Sequence, residues 1–393
     1  MTGSVGSSSA LGKAPASLVS LRRALHRRPE LSGAEAETAA HIAAHLAGLD
    51  PDRLLTGLGG HGVAAIFAAS GAAAREGPTL LFRCELDGLP ITEISDFDWR
   101  SERIGKGHLC GHDGHMAILC GLAAHFAAQR PARGRVILLF QPAEETGAGA
   151  ADVLADPRFS EIKPDFAFAL HNLPGLPLHA VGIRPGPFTF ASEGLAIRLT
   201  GRTAHAAQPE QGCSPGQTLA TLMQVLPELP RTLGHPEGQS LITLSHARLG
   251  EAAFGIAPGD AEIWLTIRAI NDALQSQLLT AAEARARQAA SAAGLGLHIT
   301  RHENFAAGHN DPAASAIIEA AVDNLALQRA TIDAPFRWSE DFGRFGAAAP
   351  SALFVLGAGE DHPGLHNPDY DFPDALLVSG VAMFSDIARQ LCG

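Results

Sequence analysis

The chain has 393 residues, 46% of them hydrophobic and 18% charged, with a formal net charge of -12 at pH 7. That length exceeds one ordinary core, so two domains are expected. The acidic balance argues against a nucleic-acid partner, which needs a basic face to displace counterions, and no apolar run reaches the roughly 18–20 residues of a membrane span.

A first helix is expected over residues 16–26, ending ahead of Pro29, which disfavours helix at the residue before it. The preceding residues 1–17 are small and polar, with no apolar segment of a secretory signal, and are expected to begin as a disordered tail. A second helix covers 34–49. Four short, almost uninterrupted apolar runs then read as buried strands: "GVAAIFAA" (62–69), "TLLFRCEL" (79–86), "RVILLFQP" (135–142) and "DFAFAL" (165–170). An amphipathic helix, "GHMAILCGLAAHFAAQR" (114–130), lies between the second and third runs, and "GAGAADVLADPRF" (147–159) makes the next crossover. This repetition predicts an α/β sheet covered on both faces.

The pattern changes after Pro187. A strand (194–201), a helix (214–229), two strands (240–249 and 261–270), a long helix (272–294) and a strand (296–303) give the order βαββαβ of a ferredoxin-like sandwich. A helix (313–326), a strand (351–357) and a last helix (374–391) then resume the α/β pattern. The expected organisation is an α/β domain over residues 1–187 and 303–393, with an α+β domain, 188–302, inserted in it.

Five scattered cysteines, an odd number (Cys84, Cys110, Cys120, Cys213, Cys392), point to a reducing, cytoplasmic setting rather than a disulfide framework. Cys110 stands in "HLCGHDGHMA" (108–117), which packs three histidines, a cysteine and an aspartate into ten residues. Ligands of open α/β sheets gather at the carboxyl ends of strands, and metal-binding residue types recur there. Asp87 follows the second run, Glu144 and Glu145 follow "RVILLFQP", His171 follows "DFAFAL", and the last strand leads into a loop holding His366. Cys110 and His112, two apart, can face one concavity if their loop is extended. A thiolate is a soft anionic ligand that sheds its proton to a metal. Asp87 could fix the tautomer of a ligand histidine. Adjacent carboxylates repel unless a cation or separate roles divide them, so one of Glu144 and Glu145 can bind metal while the other works on water.

The ordered segments "LHRRPELSGAE", "FRCELDGLPI", "CGHDGH", "FQPAEETGAGA", "LHNLP", "GRTAHAAQP", "SEDFGRF" and "LHNPDYDF" resemble those of the metal-dependent amidohydrolases. That family includes hippurate hydrolase, indole-acetyl-amino-acid hydrolases and N-acyl-amino-acid deacylases, within the wider aminoacylase and carboxypeptidase superfamily. The likeness runs from about Leu21 to the C-terminus. It implies a mixed-sheet α/β metallopeptidase-like catalytic domain with an inserted ferredoxin-like lid that also dimerises the protein. It implies two divalent ions, with Cys110 bridging and His112, Glu145, His171 and His366 completing the coordination. It makes Glu144 the general base and assigns His205 of "TAHAAQP" to the scissile carbonyl, commonly across a homodimer.

The implied reaction is hydrolysis of the amide bond of an N-acyl amino acid or similar small conjugate. Arg268 in "WLTIRAI" could bind a substrate carboxylate or the oxyanion. Thiolate and imidazole favour zinc, with manganese or cobalt also compatible with the carboxylates. Two departures stand out. The usual "RADMDALP" reads "RCELDGLP", with Cys84, Glu85, Leu86 and Gly88 substituted, and Gly255 takes the place of an asparagine that normally helps position the substrate. Two rival readings follow from the same residues: a catalytically silent binding relative, and a cysteine hydrolase using Cys110 with His112 or His115.

Overall fold

The computed structural model describes residues 12–393; of the tail expected to be disordered, residues 1–11 lie outside the described residues. The chain forms two compact units, one of residues 12–188, 309–334 and 341–393, the other of 189–308 and 335–340. No helix among the described residues is long and apolar enough to cross a membrane.

The first unit opens with α1 (Ala16–His26) and α2 (Ala36–Ala47), followed by β1 (Arg53–Leu58), β2 (Gly62–Ala68) and β3 (Thr79–Glu85). Next come α3 (His112–Ala128), β4 (Arg135–Gln141), α4 (Gly149–Ala155), β5 (Phe166–Leu173) and the short β6 (Val181–Gly182). The second unit contains β7 (Ala191–Thr200), α5 (Gly216–Val225), β8 (Ser240–Leu249), β9 (Asp260–Ala269), α6 (Asp272–Ala292) and β10 (Gly296–Phe305). The chain returns through α7 (Pro312–Asn324), β11 (Arg329–Ala330), β12 (Ser351–Gly357) and α8 (Leu376–Cys392).

The first unit's sheet has the order β1-β2-β4-β3-β5-β12-β6-β11. Its centre is parallel, β4 with β3, β3 with β5 and β5 with β12, while β1 and β2 join antiparallel at one side. Leu80, Phe82, Val136, Leu138, Phe168 and Phe354 pack in one cluster with Leu25, Ile42, Met116, Ile318 and Phe384 from the helices. The alternate residues Leu81, Ile137, Leu139 and Ala167 are buried too, which is why these strands read as continuous apolar runs. The sequence reading passed over β1, half of whose residues are exposed and whose pairing shifts register around Gly57; an interrupted edge strand leaves only a weak apolar signature.

Helix α3 departs from expectation in two ways. It begins at His112, not Gly114, and it is not amphipathic, since every residue from His112 to Ala123 is buried. The sheet lies on one side and α1 and α8 on another, so a helix in this position has no solvent face for its first three turns.

The second unit's antiparallel sheet has the order β8-β9-β7-β10, the strand arrangement of a ferredoxin-like sandwich. Ile197 and Leu199, Ile263, Leu265 and Ile267 pack against Leu222 of α5 and Leu278 and Ala282 of α6.

Helices α3 and α8 approach closely at glycines. A Cβ on Gly380 would lie 2.4 Å from Ile118 Cδ1 and 2.9 Å from its Cγ1, so more than a side-chain tip would have to move. Gly380→Ala should therefore destabilise the protein by about 1–3 kcal/mol, the usual cost of overpacking. The check is a lower urea midpoint at unchanged slope.

Candidate metal centre

The parallel strands deliver their polar residues to one edge. Asp87 lies just past β3, Cys110 and His112 at the start of α3, Glu144 and Glu145 just past β4, and His366 in the loop after β12. His171 lies inside β5 rather than after it. The ligand atoms of Cys110, His112 and His171 all fall within 4.8 Å of one another, as do those of Cys110, Glu145 and His366, and those of His112, Glu144 and Glu145. Two of these triads share the Cys110 sulfur, an arrangement in which one thiolate can serve two cations. Glu145 reaches between histidines, with its two oxygens 3.8 Å from His112 Nε2 and 3.8 Å from His366 Nε2.

Cys110 and His112 converge by a bend, not by an extended loop. Gly111 has φ 94° and ψ 12°, a left-handed conformation that favours glycine, and a Cβ there would lie 2.3 Å from Asn172 Oδ1. The bend turns Cys110 into the site and starts α3 at His112. Two of the six non-glycine residues with left-handed backbone among the described residues lie here: Ala143 (φ 51°), directly before the glutamate pair, and His366 (φ 65°). Such backbone strain concentrates at functional sites. The His366 N–H donates to the Leu109 carbonyl at 2.8 Å, which ties its loop to the Cys110 segment.

Hydrogen bonds orient both buried imidazoles. His112 Nδ1 lies 2.8 Å from the Asp87 carbonyl oxygen, to which it donates, and 3.5 Å from Asp87 Oδ1. Asp87 thus sets the tautomer mainly through its backbone. His112 Nε2 is buried without a hydrogen-bond partner. His171 Nδ1 likewise donates to the Asn172 carbonyl at 2.8 Å, leaving Nε2 3.4 Å from Cys110 Sγ. The Nε2 atoms of two imidazoles therefore face one sulfur and one carboxylate, and once deprotonated they complete a donor set that fits zinc-like cations.

The electrostatics agree. Burial alone would lower the His112 pKa, but Glu85, Asp87 and Glu145 outweigh it and hold the ring up to about 10, so the site demands positive charge. Burial pushes His171 down to about 3, with His115 adding to the effect, and keeps it a neutral donor. Burial, then Glu145, Glu144 and Glu85, raise the Cys110 thiol well above its ordinary value. A thiol so held is a poor nucleophile, which counts against the cysteine-hydrolase reading; a cation is what would favour its thiolate.

Several supporting roles escaped sequence reasoning, including those of His115 and Glu85, which it named for other reasons. His115 Nδ1 meets Glu85 Oε2 at 2.6 Å and its Nε2 meets Asn172 Oδ1 at 2.5 Å, so both nitrogens are committed. Asn172 Nδ2 donates to the Tyr370 hydroxyl at 2.5 Å. Glu85 also pairs with Arg83, which in turn meets Asp341 Oδ1 at 2.5 Å. The signal was present in "FRCEL", two charges inside an otherwise apolar strand. Behind α3, His26 Nδ1 lies 2.9 Å from Asp113 Oδ2 and its Nε2 3.1 Å from Glu93 Oε1, while Arg22 pairs with Asp113, Asp371 and Asp374.

His205 and Arg268 belong to the second unit. His205 pairs with Ile256 across a two-residue antiparallel bridge and is exposed. Its Nδ1 accepts the Ala207 N–H at 3.0 Å, which leaves the ring proton on Nε2 as a donor. Arg268 is tethered rather than simply solvated, donating to the Arg337 carbonyl at 3.1 Å and the Ser339 hydroxyl at 2.8 Å. Gly255 sits beside His205, accepting the Ala206 N–H at 3.0 Å, with open space where a Cβ would project.

Comparisons with known proteins agree with this architecture. Residues 81–390 match the model of peptidase family M20/M25/M40. The chain is 30% identical to N-acetyl-L-cysteine deacetylase of Bacillus subtilis, over 95% of this chain and 88% of that protein. It is 27% identical to hippurate hydrolase of Campylobacter jejuni, over 94% and 95%. Among solved structures it resembles a dinuclear metal binding peptidase from the M20 family of Bacillus subtilis, with TM-score 0.77, 24% identity and coverage of 96% and 98%.

The network behind α3 carries a pH signature. Burial lowers the affinity of His26 for a proton, yet Asp113 and Glu93 override it and hold the pKa at about 9 against an ordinary 6.5. A raised pKa contributes stability that is complete below about 6.5 and lost as pH climbs through 9. Unfolding free energy should fall over that window by at most about 1.4 kcal/mol per pH unit. In His26→Gln this component of the slope should vanish, as measured by urea unfolding at pH 6, 7.5 and 9.

Proposed function

The chain belongs to peptidase family M20/M25/M40, and from that membership we propose hydrolysis of the amide bond of N-acyl amino acids or similar small conjugates, releasing a carboxylic acid and an amino acid. The observation that carries this reading is the pair of ligand triads sharing Cys110, with Glu144 Oε2 4.0 Å from His112 Nε2. Two divalent ions held by Cys110, His112, His171, Glu145 and His366 would supply acidity to a shared water and positive charge to the amide oxygen. Thiolate and imidazole favour zinc, and the carboxylates also admit manganese or cobalt.

The chain's own groups divide the remaining work. Glu144 takes the water proton as the amide carbonyl is attacked and passes a proton to the departing amine. It is buried and receives the Asp341 N–H at 3.4 Å, so its carboxylate is placed rather than floating. Asp87 orients His112. Nε2–H of His205 donates to the oxygen that becomes negative, and Arg268, held by the 337–339 segment, meets the substrate's carboxylate.

The relatives named for acetyl-cysteine and hippurate cleavage support small acyl groups on an amino acid. Gly255 leaves room where an asparagine would bind substrate, which supports a substrate different from those of relatives that keep the asparagine. It also lends the silent-relative reading its one support; the complete ligand set and Glu144 oppose it. Six of the nine exposed large apolar side chains among the described residues, including Leu249, Phe254 and Trp264, lie in the inserted unit. Such surface supports a homodimer formed through it. The five free cysteines suit a reducing, cytoplasmic compartment.

The glutamate pair should separate in a panel of N-acetyl and N-benzoyl amino acids. Glu144→Gln is expected to abolish turnover, by a hundredfold or more, with metal content nearly intact. Glu145→Gln is expected to lower metal occupancy. Equal metal loss in the two variants would show the roles wrongly divided, and a fully active metal-free protein would end the reading.

Mixing tests the lid. In heterodimers of His205→Ala and Glu144→Gln chains, the site on the His205→Ala chain keeps its own Glu144 and borrows the partner's histidine. One site per heterodimer should regain activity. Demonstrated subunit exchange without activity would place His205 outside catalysis across the interface.

A further inference from the structure

Glu35 is fully buried at the start of α2, far along the chain from any residue assigned to the chemistry. Its Oε1 accepts two backbone N–H groups, that of Gly33 at 2.7 Å and that of Ala143 at 2.8 Å. Ala143 is the left-handed residue (φ 51°) directly ahead of Glu144. A non-glycine residue holds that conformation only where its surroundings enforce it. On the other side of Glu144, the Glu145 N–H donates to Asp87 Oδ2 at 3.0 Å, and Ser32 Oγ donates to the same oxygen at 2.7 Å. Two buried carboxylates, both braced by the 32–35 segment, therefore grip the amides immediately before and after Glu144.

We propose that Glu35 is a positioning residue for Glu144: it fixes the left-handed turn at Ala143 and so sets the direction in which the Glu144 carboxylate projects. This inference rests on the reading of Glu144 as the proton-transferring base. Without the acceptor, the Ala143 N–H loses its partner, and the turn keeps only the bonds that its carbonyl receives from the Gly149 N–H at 3.0 Å and the Thr146 hydroxyl at 3.3 Å, so it is less firmly held in the left-handed conformation. Glu144 then spends less time in line with the water and the departing amine, while the ligand atoms stay where other contacts hold them. Proton transfer depends steeply on such placement. The loss should fall on kcat, not on KM or metal content.

The charge of Glu35 is not what the turn requires. Oε2 has no hydrogen-bond partner, so replacing it with an amide nitrogen breaks no hydrogen bond, and glutamine keeps an oxygen for both N–H groups. Glu35→Ala and Glu35→Gln thus separate acceptor from fold. Both would be measured on N-acetyl amino acids for kcat, KM and bound zinc, with rates corrected for the folded fraction from circular dichroism. Glu35→Ala should lower kcat at least tenfold, with KM within about twofold and zinc unchanged, and Glu35→Gln should restore kcat to within about threefold of the unmutated protein. Unchanged kcat in Glu35→Ala would overturn the proposal. So would zinc loss parallel to the loss of rate, or a Glu35→Gln as slow as Glu35→Ala. If Glu35→Ala does not fold, Glu35→Met, which fills the same space without an acceptor oxygen, takes its place under the same criteria. Glu144→Gln, assayed beside them, keeps the two readings apart: an active Glu144→Gln defeats the assignment of the base, whereas an inactive one with a normal Glu35→Ala defeats only the positioning role.

Discussion

A charge taken out of water must be matched by an opposite charge, a hydrogen bond or a change of protonation, and the first unit is arranged around that requirement. Glu85, Asp87, Glu144, His112, His115 and His171 are all buried at one edge of the sheet. Most have partners within the protein. Glu85 is matched by Arg83 and His115, and Asp87 by Ser32 and the Glu145 amide. Among these, His112 Nε2 is buried without a hydrogen-bond partner where it faces Cys110 and Glu145. Arg83 is committed to Glu85 and Asp341, and His115 to Glu85 and Asn172, so the charge that balances this spot falls to His112, held protonated up to about 10, and a bound cation would take over that role.

Helix α3 is where these demands meet. Its first turn presents three polar side chains, and each serves a different set of partners. His112 and His115 lie close to one side, with ring centroids 5.7 Å apart, yet one is aimed at the site and the other is bound to Glu85 and Asn172. Asp113 is turned away to Arg22 and His26. Because successive helical residues step by about 100°, a shift of one position would exchange these assignments. The bend at Gly111 fixes that phase. It explains why α3 begins two residues earlier than its apolar pattern suggested.

Much of this was legible in the sequence. The strands with both faces covered were visible as apolar runs, and Glu144–Glu145 stood out because adjacent carboxylates after a buried strand are costly without a purpose. The segment around Cys110 drew notice by density of donors alone. Less was legible where the partner is remote. Glu85 and His115 are 30 residues apart and Arg83 and Asp341 are 258 apart, so no local window contains both halves of either pair. Glu35 gave no chemical signal, since a lone glutamate in the first turn of an expected helix reads as an end charge. Backbone conformation was hidden as well: alanine and histidine do not announce the left-handed turns at Ala143 and His366, which tertiary contacts impose.

The reluctance of Cys110 to ionise has a consequence for the life of the protein between folding and loading. Oxidants and electrophiles attack the thiolate, so a sulfur held protonated by burial and by three neighbouring carboxylates is slow to climb toward sulfenic and sulfinic acids. Once oxidised it could no longer act as a ligand. The same carboxylates that would draw a cation to the proposed site therefore act as a preservative for its softest donor, slowing the oxidation that would cost the chain that sulfur.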